Sequence, residues 1–363
     1  MLPHKIDMRE WKILQKSAYL RLITSLIICF SVIFYQVKDI FVPIKSAETV
    51  NIIPASGEKK EETESIKTES SENVSSTPKE EVKENVSSKA ENNESKETSA
   101  ADVKGKIIEK YISPYNAPQS YNKVYIKNST GVSVDIKKLL EAPLSVNIKT
   151  NTTEPQVLIM HTHATESFMS DDSDYYTSSF SPRSRDNNKN MVKIGETVAE
   201  ILNSSGIKTL HDKTLHDYPE YTGSYSRSKA TVNSYLKKYP SIKIVLDLHR
   251  DSVASGDDKI KLTTEIDGKK AAQVMLVMGS QTGSVTGHSK WQENLKLAFK
   301  LQQKLENKYP TLARPLMLVS KLYNQNLTTG SLLLEFGTDA NSLEEACYSA
   351  KLVGNAIGEL LKE

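Results

Sequence analysis

Along this chain, short apolar runs alternate with stretches of helical period, and polar clusters close several of the runs. Val157–Met160 (VLIM) leads at once into His161, Thr162 and His163, with Glu166 three residues on. An unbroken apolar run of this length predicts a strand buried on both faces. Ile242–Asp251 (IKIVLDLHRD) repeats the design and brings Asp247, His249, Arg250 and Asp251 to its end. Gln273–Gly279 (QVMLVMG) and Ser331–Gly337 (SLLLEFG, carrying Glu335) predict a third and a fourth strand. Between them the period changes. A helix from about Asn190 to Ser205 aligns Met191, Ile194, Val198, Ile201 and Leu202 on one face, with Gly206 as its stop. Ser226–Tyr239, stopped by Pro240, and Trp291–Tyr309 predict two more. Ser342 and Glu345 form a capping-box pattern ahead of a closing helix whose apolar face is Ala346, Ala350, Val353, Ile357 and Leu360. Strands alternating with helices predict an α/β domain, a largely parallel twisted sheet flanked by helices, over residues 156–363. Residues 107–155 predict a lead-in β segment that packs on this domain. Within it, VYI and VSVDI pair as a hairpin around a turn at Asn128–Gly131.

The first hundred residues follow other patterns. Lys5, Arg9, Lys12, Lys16 and Arg21 precede a run, Leu22–Val37, without a charge. With Ile40–Val42 as an extension, residues 22–42 reach the length of a membrane-spanning helix. The basic flank on its N-terminal side predicts a cytoplasmic tail at 1–21 and an extracytoplasmic remainder. The expected place is therefore a cell membrane, crossed once. A cleaved signal peptide is the competing reading, with Ser46–Glu48 as the nearest cleavage-like site. Residues 43–106 are dominated by Glu, Lys, Ser, Asn and Thr. They predict a disordered low-complexity linker, because so few apolar residues cannot offset the entropy of ordering.

Charge and cysteine usage narrow the function classes. A net charge of +2 leaves no basic field for nucleic acid. Cys29 and Cys347 lie in unrelated settings, which sets aside a disulfide and a thiolate metal site.

Three strand ends carry the candidate chemistry: His161, His163 and Glu166; His249; and Glu335. Ends of parallel strands share one edge, where open α/β sheets place their ligands. Imidazoles and carboxylates are zinc donors, and a catalytic zinc takes three of them and leaves a position for water. Glu335, at the end of an apolar run, suits the general base, since burial raises its pKa. Each residue also fits a plainer role. His161 and His163 share a strand face, so one can be a ligand and the other a structural partner. Glu166 fits a turn cap, Asp186 a solvated loop residue, Glu335 a sheet margin, and His211, His216 and His288 the surface.

With those residues in hand, HTHATESF, NKNMVKIGETVAEIL, HDKTLHDYPEYTGSYSRS, DLHRDS and LLLEFG, in this order, resemble the stage II sporulation protein P family. The resemblance covers roughly Ile107 to Leu361. The family is similar to zinc-dependent N-acetylmuramoyl-L-alanine amidases, so the resemblance implies an amidase-like fold and Zn2+ as cofactor. It implies cleavage of the muramoyl–L-alanine amide of peptidoglycan, and also of peptide cross-links, in septal wall removal and engulfment by Gram-positive spore formers. It also implies stage II sporulation proteins D and M as partners. Carried over, His163 and His249 match histidine ligands and Glu335 the catalytic carboxylate. The family's acidic ligand, a Glu opening the next helix, has no counterpart before Asn190. Asp186 stands nearly there, and Glu166 is its rival. His161, Arg250 and Asp251 fall to supporting or substrate-facing positions. The reading from another class is a non-catalytic peptidoglycan-binding scaffold of the engulfment machinery. A general base beside a metal site argues against it, because a binding module needs none.

Overall fold

The computed structural model describes residues 102–363. The expected tail, anchor and most of the expected linker therefore lie outside the described residues. Among the described residues no helix is long and apolar enough to cross a membrane.

Among the described residues thirteen strands and five α-helices follow one another. The chain opens with β1 (Val103–Lys110), β2 (Gln119–Tyr121), β3 (Val124–Asn128) and α1 (Ile136–Glu141). Then come β4 (Val157–Met160), β5 (Tyr175–Thr177), α2 (Met191–Ser204), β6 (Thr209–His211), α3 (Ser224–Lys238) and β7 (Ile244–Asp251). A run of strands follows: β8 (Ala254–Ser255), β9 (Asp258–Ile266), β10 (Lys269–Ala272) and β11 (Val274–Gly279). The chain closes with α4 (Trp291–Lys308), β12 (Leu316–Val319), β13 (Ser331–Thr338) and α5 (Leu343–Leu360).

The main sheet has eight strands in the order β2-β3-β12-β11-β13-β7-β4-β6. Every pairing is parallel except β2–β3 and β11–β13. The expected α/β sheet is thus present but mixed: β4, β7 and β13 run together, while β11 runs against them. Register then sorts the side chains. Leu158, Met160, Val245, Asp247, His249, Leu333 and Glu335 share one face through the pairings of β4, β7 and β13. The other face, carrying Val157, Ile159, Leu246, Leu248, Leu334 and Phe336, is buried with apolar residues of α2, α4 and α5 in the main core. Each fully buried Leu or Ile there contributes roughly 1.5–3 kcal/mol. On the first face, Val232 and Tyr235 of α3 cover Leu158, Met160 and Val245, while Tyr323 and Tyr225 cover Met275, Val277 and Leu333.

Helix boundaries match the pattern closely. Asn190 caps α2 by accepting from the Val192 N–H. Gly206 turns the chain at φ 81°. Ser342 and Glu345 form the expected capping box, each side chain bonded to the other's backbone N–H.

Three expectations are corrected. VSVDI is not a strand: Asp135 accepts from the Lys138 N–H as a helix cap, and Ile136, Leu139 and Leu140 are buried at helical spacing in α1. The hairpin is instead β2–β3, whose two-residue turn places Asn122 and Lys123 at φ 45° and 65°, the twist such a turn requires. The linker also ends earlier than expected, because Val103–Lys106 already belong to β1. That strand joins β5, β8, β9 and β10 in a second, smaller sheet that the apolar pattern did not announce.

Candidate metal centre

The site is built on β4, β7 and β13. After β4 the chain leaves the sheet in a tight turn, so His161 and His163 do not stay on one strand face. His161 turns under the sheet. Its Nδ1 lies 2.9 Å from the Leu248 carbonyl, so Nδ1 carries the proton and Nε2 accepts, 2.9 Å from His211 Nε2. Gly195 of α2 makes room for this pair: a Cβ there would stand 2.5 Å from both Nε2 atoms. Burial depresses both imidazoles, His161 to about 3 and His211 to about 4. His161 is therefore a neutral structural group. The surface positions expected of the other histidines are corrected likewise. His211 is half-buried, while His216 and His288 are fully buried. His216 bonds the His161 carbonyl through Nδ1 and the Thr231 hydroxyl through Nε2.

His163 turns the other way, onto the face that carries His249 and Glu335. It is 1% exposed, and neither ring nitrogen has a hydrogen-bond partner. Tyr221 stacks on it at 4.5 Å, and the rings of Tyr225 and His249 meet it edge-on at 5.6 and 5.2 Å. Burial lowers its pKa to about 4. His249 is clamped by carboxylates on both sides. Asp247 Oδ1 lies 2.8 Å from Nε2, close but poorly angled for a hydrogen bond, and Glu166 Oε2 lies 3.6 Å from Nδ1. Burial disfavours its charge, but Asp247 and Glu166 overcome it and raise its pKa well above the usual value.

Glu166 joins the cluster because its backbone is fixed from both sides. It bridges Arg183, and its carbonyl accepts from the Met191 N–H at 2.9 Å. Its Oε2 also accepts from the Arg250 N–H at 3.2 Å. Burial pushes this carboxyl up, yet His249 and the Arg250 charge hold it near 2. Glu335 sits opposite His249 in the β13–β7 ladder, and Gly337, at φ 63°, lies in the bulge that follows, after which Thr338 pairs with Asp251. Its Oε2 has no partner. Burial, helped by the negative charges of Asp251 and Glu166, pushes Glu335 up to about 8.

Asp186 is not brought to this cluster. It lies on an exposed loop, where its carboxylate accepts from Asn188 and stands 3.8 Å from Lys189 Nζ. Arg250 does not face a ligand either: its guanidinium bonds the carbonyls of Ser167, Asp251 and Pro182 and so holds the Glu166 loop. Asp251 pairs with Arg314 at 3.0 Å in the interior. Three residues that the sequence reading did not single out complete the surroundings. Arg183 lies over Tyr221 at 4.8 Å and pairs with Asp217, which also accepts from Thr165. Tyr221, in the turn before α3, and Tyr225, in its first turn, were the available signal.

Zinc is the ion these donor types fit. The nitrogens of His163 and Oε2 of Glu335, without hydrogen-bond partners, and Oε1 of Glu166, 3.9 Å from Arg183 Nη2, are buried N and O donors of the kind zinc takes. Asp247 stands 2.8 Å behind His249, as a carboxylate that orients an imidazole toward a metal would. The side chains are not gathered into a shell, since no group of three His, Cys, Asp or Glu among the described residues is placed to share an ion.

The fold and the site together define an α/β protein with a histidine–carboxylate cluster recessed on one sheet face. The profile of the family described as Stage II sporulation protein P (SpoIIP) matches residues 33–358, and the chain belongs to that family. A curated relative, stage II sporulation protein P of Bacillus subtilis (strain 168), is 30% identical over 220 residues. That match covers 56% of this chain and 50% of the relative, so the chain spans about half the relative's length. Among solved structures, the chain is similar to the N-acetylmuramoyl-L-alanine amidase AmiC2 of Nostoc punctiforme, at 12% identity over 57% of this chain and 95% of that one, TM-score 0.32. It is also similar to an N-acetylmuramoyl-L-alanine amidase of Clostridium difficile 630, at 13% identity over 58% and 96%, TM-score 0.34. A third is the CwlD amidase of Clostridioides difficile in complex with the GerS lipoprotein, at 13% identity over 57% and 96%, TM-score 0.33.

Proposed function

We propose that this chain is a zinc-dependent peptidoglycan hydrolase of sporulation that cleaves the amide between N-acetylmuramic acid and L-alanine. In this reading residues 22–42 anchor it in the cell membrane and the described domain works on the outer side, with stage II sporulation proteins D and M as partners. The observation that carries the chemistry is Glu335, a buried carboxyl with a free oxygen and a pKa near 8, set in register beside His249. A pKa near the working pH lets one group accept and return a proton.

His163, His249 and Glu166 are the residues that would hold zinc, with Asp247 fixing the His249 ring. When bound, zinc supplies Lewis-acid polarisation of the scissile carbonyl and of water. Glu335 then takes a proton from the attacking water at Oε2 and delivers it to the departing amide nitrogen. Tyr221 and Tyr225 wall His163 and exclude bulk water from it. Arg250 and Arg183 keep the Glu166 loop closed against the sheet.

The test measures zinc content and stem-peptide release from purified peptidoglycan for the full chain and three variants. His163→Ala and His249→Ala should lose zinc and activity together, whereas Glu335→Gln should keep zinc and lose activity. A parent chain that neither takes up zinc nor releases peptide would end this reading and leave the wall-binding scaffold in its place.

A further inference from the structure

Beside the cluster the structure holds a cleft of about 660 Å³ between the head of α3, the loop after β11 and the loop after β12. Tyr225 forms the wall between the two sites: its ring packs edge-on against His163 and also lines the cleft. The cleft has a consistent chemistry. Lys229 and Lys321 line it with the hydroxyls of Ser226, Ser284 and Ser320, and no acidic residue does. Both lysines are exposed, and neither forms an ion pair among the described residues. Two unneutralised ammonium groups with hydroxyl donors favour an anion.

The far wall is fixed to the site rather than left loose. Tyr323 and Asn324 both sit at positive φ, 47° and 55°, a conformation that costs energy in a non-glycine residue and persists where its surroundings hold it. Asn324 Nδ2 donates to the Tyr225 carbonyl at 2.9 Å and to Ser228 Oγ at 3.1 Å. Ser228 in turn contacts Thr162 at 2.9 Å, and Thr162 donates to Asp247 at 2.7 Å. The cleft and the cluster are therefore joined by a continuous chain of hydrogen bonds.

We propose that this cleft is a carboxylate-binding subsite for the peptide side of the substrate, with Lys229 and Lys321 as its specificity-determining residues. The inference rests on the amide-hydrolase reading, because Tyr225, shared by the cleft and His163, places the cleft next to whatever amide lies at His163 and Glu335. The peptide leaving a muramoyl–alanine amide carries free carboxylates, beginning with its γ-linked glutamate. A glycan alone carries none once its lactyl group is amidated.

The experiment uses the full chain and two synthetic probes, L-Ala-γ-D-Glu-L-Lys and the same peptide with its glutamate α-carboxylate amidated. Binding is read by calorimetry, and cleavage separately on peptidoglycan fragments bearing free or amidated carboxylates. The parent should prefer the acid probe. Lys229→Gln and Lys321→Gln should each weaken it about three- to fivefold, the range of a single exposed ion pair, with the loss in cleavage carried by KM. The double variant should no longer distinguish acid from amide. Equal binding of the two probes by the parent, or an undiminished preference in the double variant, overturns the subsite, as does displacement of neither probe alongside tight binding of poly(glycerol phosphate). Acid-selective, lysine-dependent binding without any cleavage would keep the subsite and remove the hydrolase reading, so the two failures are distinguishable.

Discussion

Glu335 lies directly opposite His249 across the parallel β13–β7 ladder. Residues paired in this way point to the same side of the sheet, so a carboxyl and an imidazole from segments far apart in sequence meet without any loop having to place them. Asp247, two residues before His249, falls on the same face by alternation, and that is where the site's orientation is set.

In the proposed zinc site, Asp247 should matter as the carboxylate behind His249. Its carboxylate lies 2.8 Å from His249 Nε2 and accepts from Thr162 N and Oγ1 at 2.9 and 2.7 Å. Asp247→Asn should weaken zinc affinity by about 10–100-fold, the usual effect of removing the carboxylate behind a ligating histidine. Chelator competition measures it. Parental affinity in the variant would mean that His249 owes its orientation to something else.

The elevated Glu335 pKa makes stability pH-dependent in the zinc-free chain. In the folded protein the group titrates near 8, against about 4.3 for an unperturbed Glu. Between those values the folded state holds a proton that the unfolded state has released. Stability should therefore be fullest below about pH 4.3 and fall as pH rises toward 8. Glu335→Gln removes this dependence. Zinc-free melting curves should show the variant gaining on the parent by an amount on the order of 1–3 kcal/mol between pH 5.5 and 8.5. Parallel curves would show that Glu335 is not titrating in that range.

How far this was legible in the sequence differs from element to element. The buried strands Val157–Met160, Ile244–Asp251 and Ser331–Thr338 announced themselves as apolar runs because both their faces are buried, and Ser342 with Glu345 marked α5 to the residue. Pairing His249 with Glu335 needed only parallel order. The second sheet was not legible, since β1 and β9 alternate Lys, Glu and Thr with few apolar residues. The separation of His161 from His163 was hidden too. The strand stops at Met160, and the following turn, not strand alternation, sends the two rings to opposite sides. That Glu166 rather than Asp186 lies beside His249 follows from backbone bridges that have no sequence signature.

The structural role of His161 can be tested away from the cluster. A methyl group at Gly195 would stand 2.5 Å from Nε2 of both His161 and His211. Gly195→Ala should therefore cost about 1–3 kcal/mol through overpacking, outweighing the gain of roughly 1 kcal/mol from replacing a helical glycine. Denaturant unfolding gives the difference. Zinc affinity should stay within a few-fold of the parent. A variant of parental stability that loses zinc would return His161 to the ligand set.

The buried pair Arg314–Asp251 supports Glu335 from behind. Both side chains are 1% exposed, with Nη1 and Oδ2 3.0 Å apart, and the Arg314 charge lowers the Glu335 pKa while that of Asp251 raises it. Arg314→Met leaves the Asp251 carboxylate buried and unpaired, which should destabilise the chain by about 3–5 kcal/mol. It also removes a positive charge that, with that of His249, opposes protonation of Glu335, so the acid limb of any activity profile should move to higher pH. Arg314→Met with Asp251→Leu removes both charges and should recover much of the stability, because replacing a whole buried pair by apolar side chains is often neutral. A double-mutant cycle on unfolding free energies measures the coupling. If the double variant is as unstable as the sum of its parts, the pair is not acting as a unit, and the support for Glu335 comes from the packing of β13 alone.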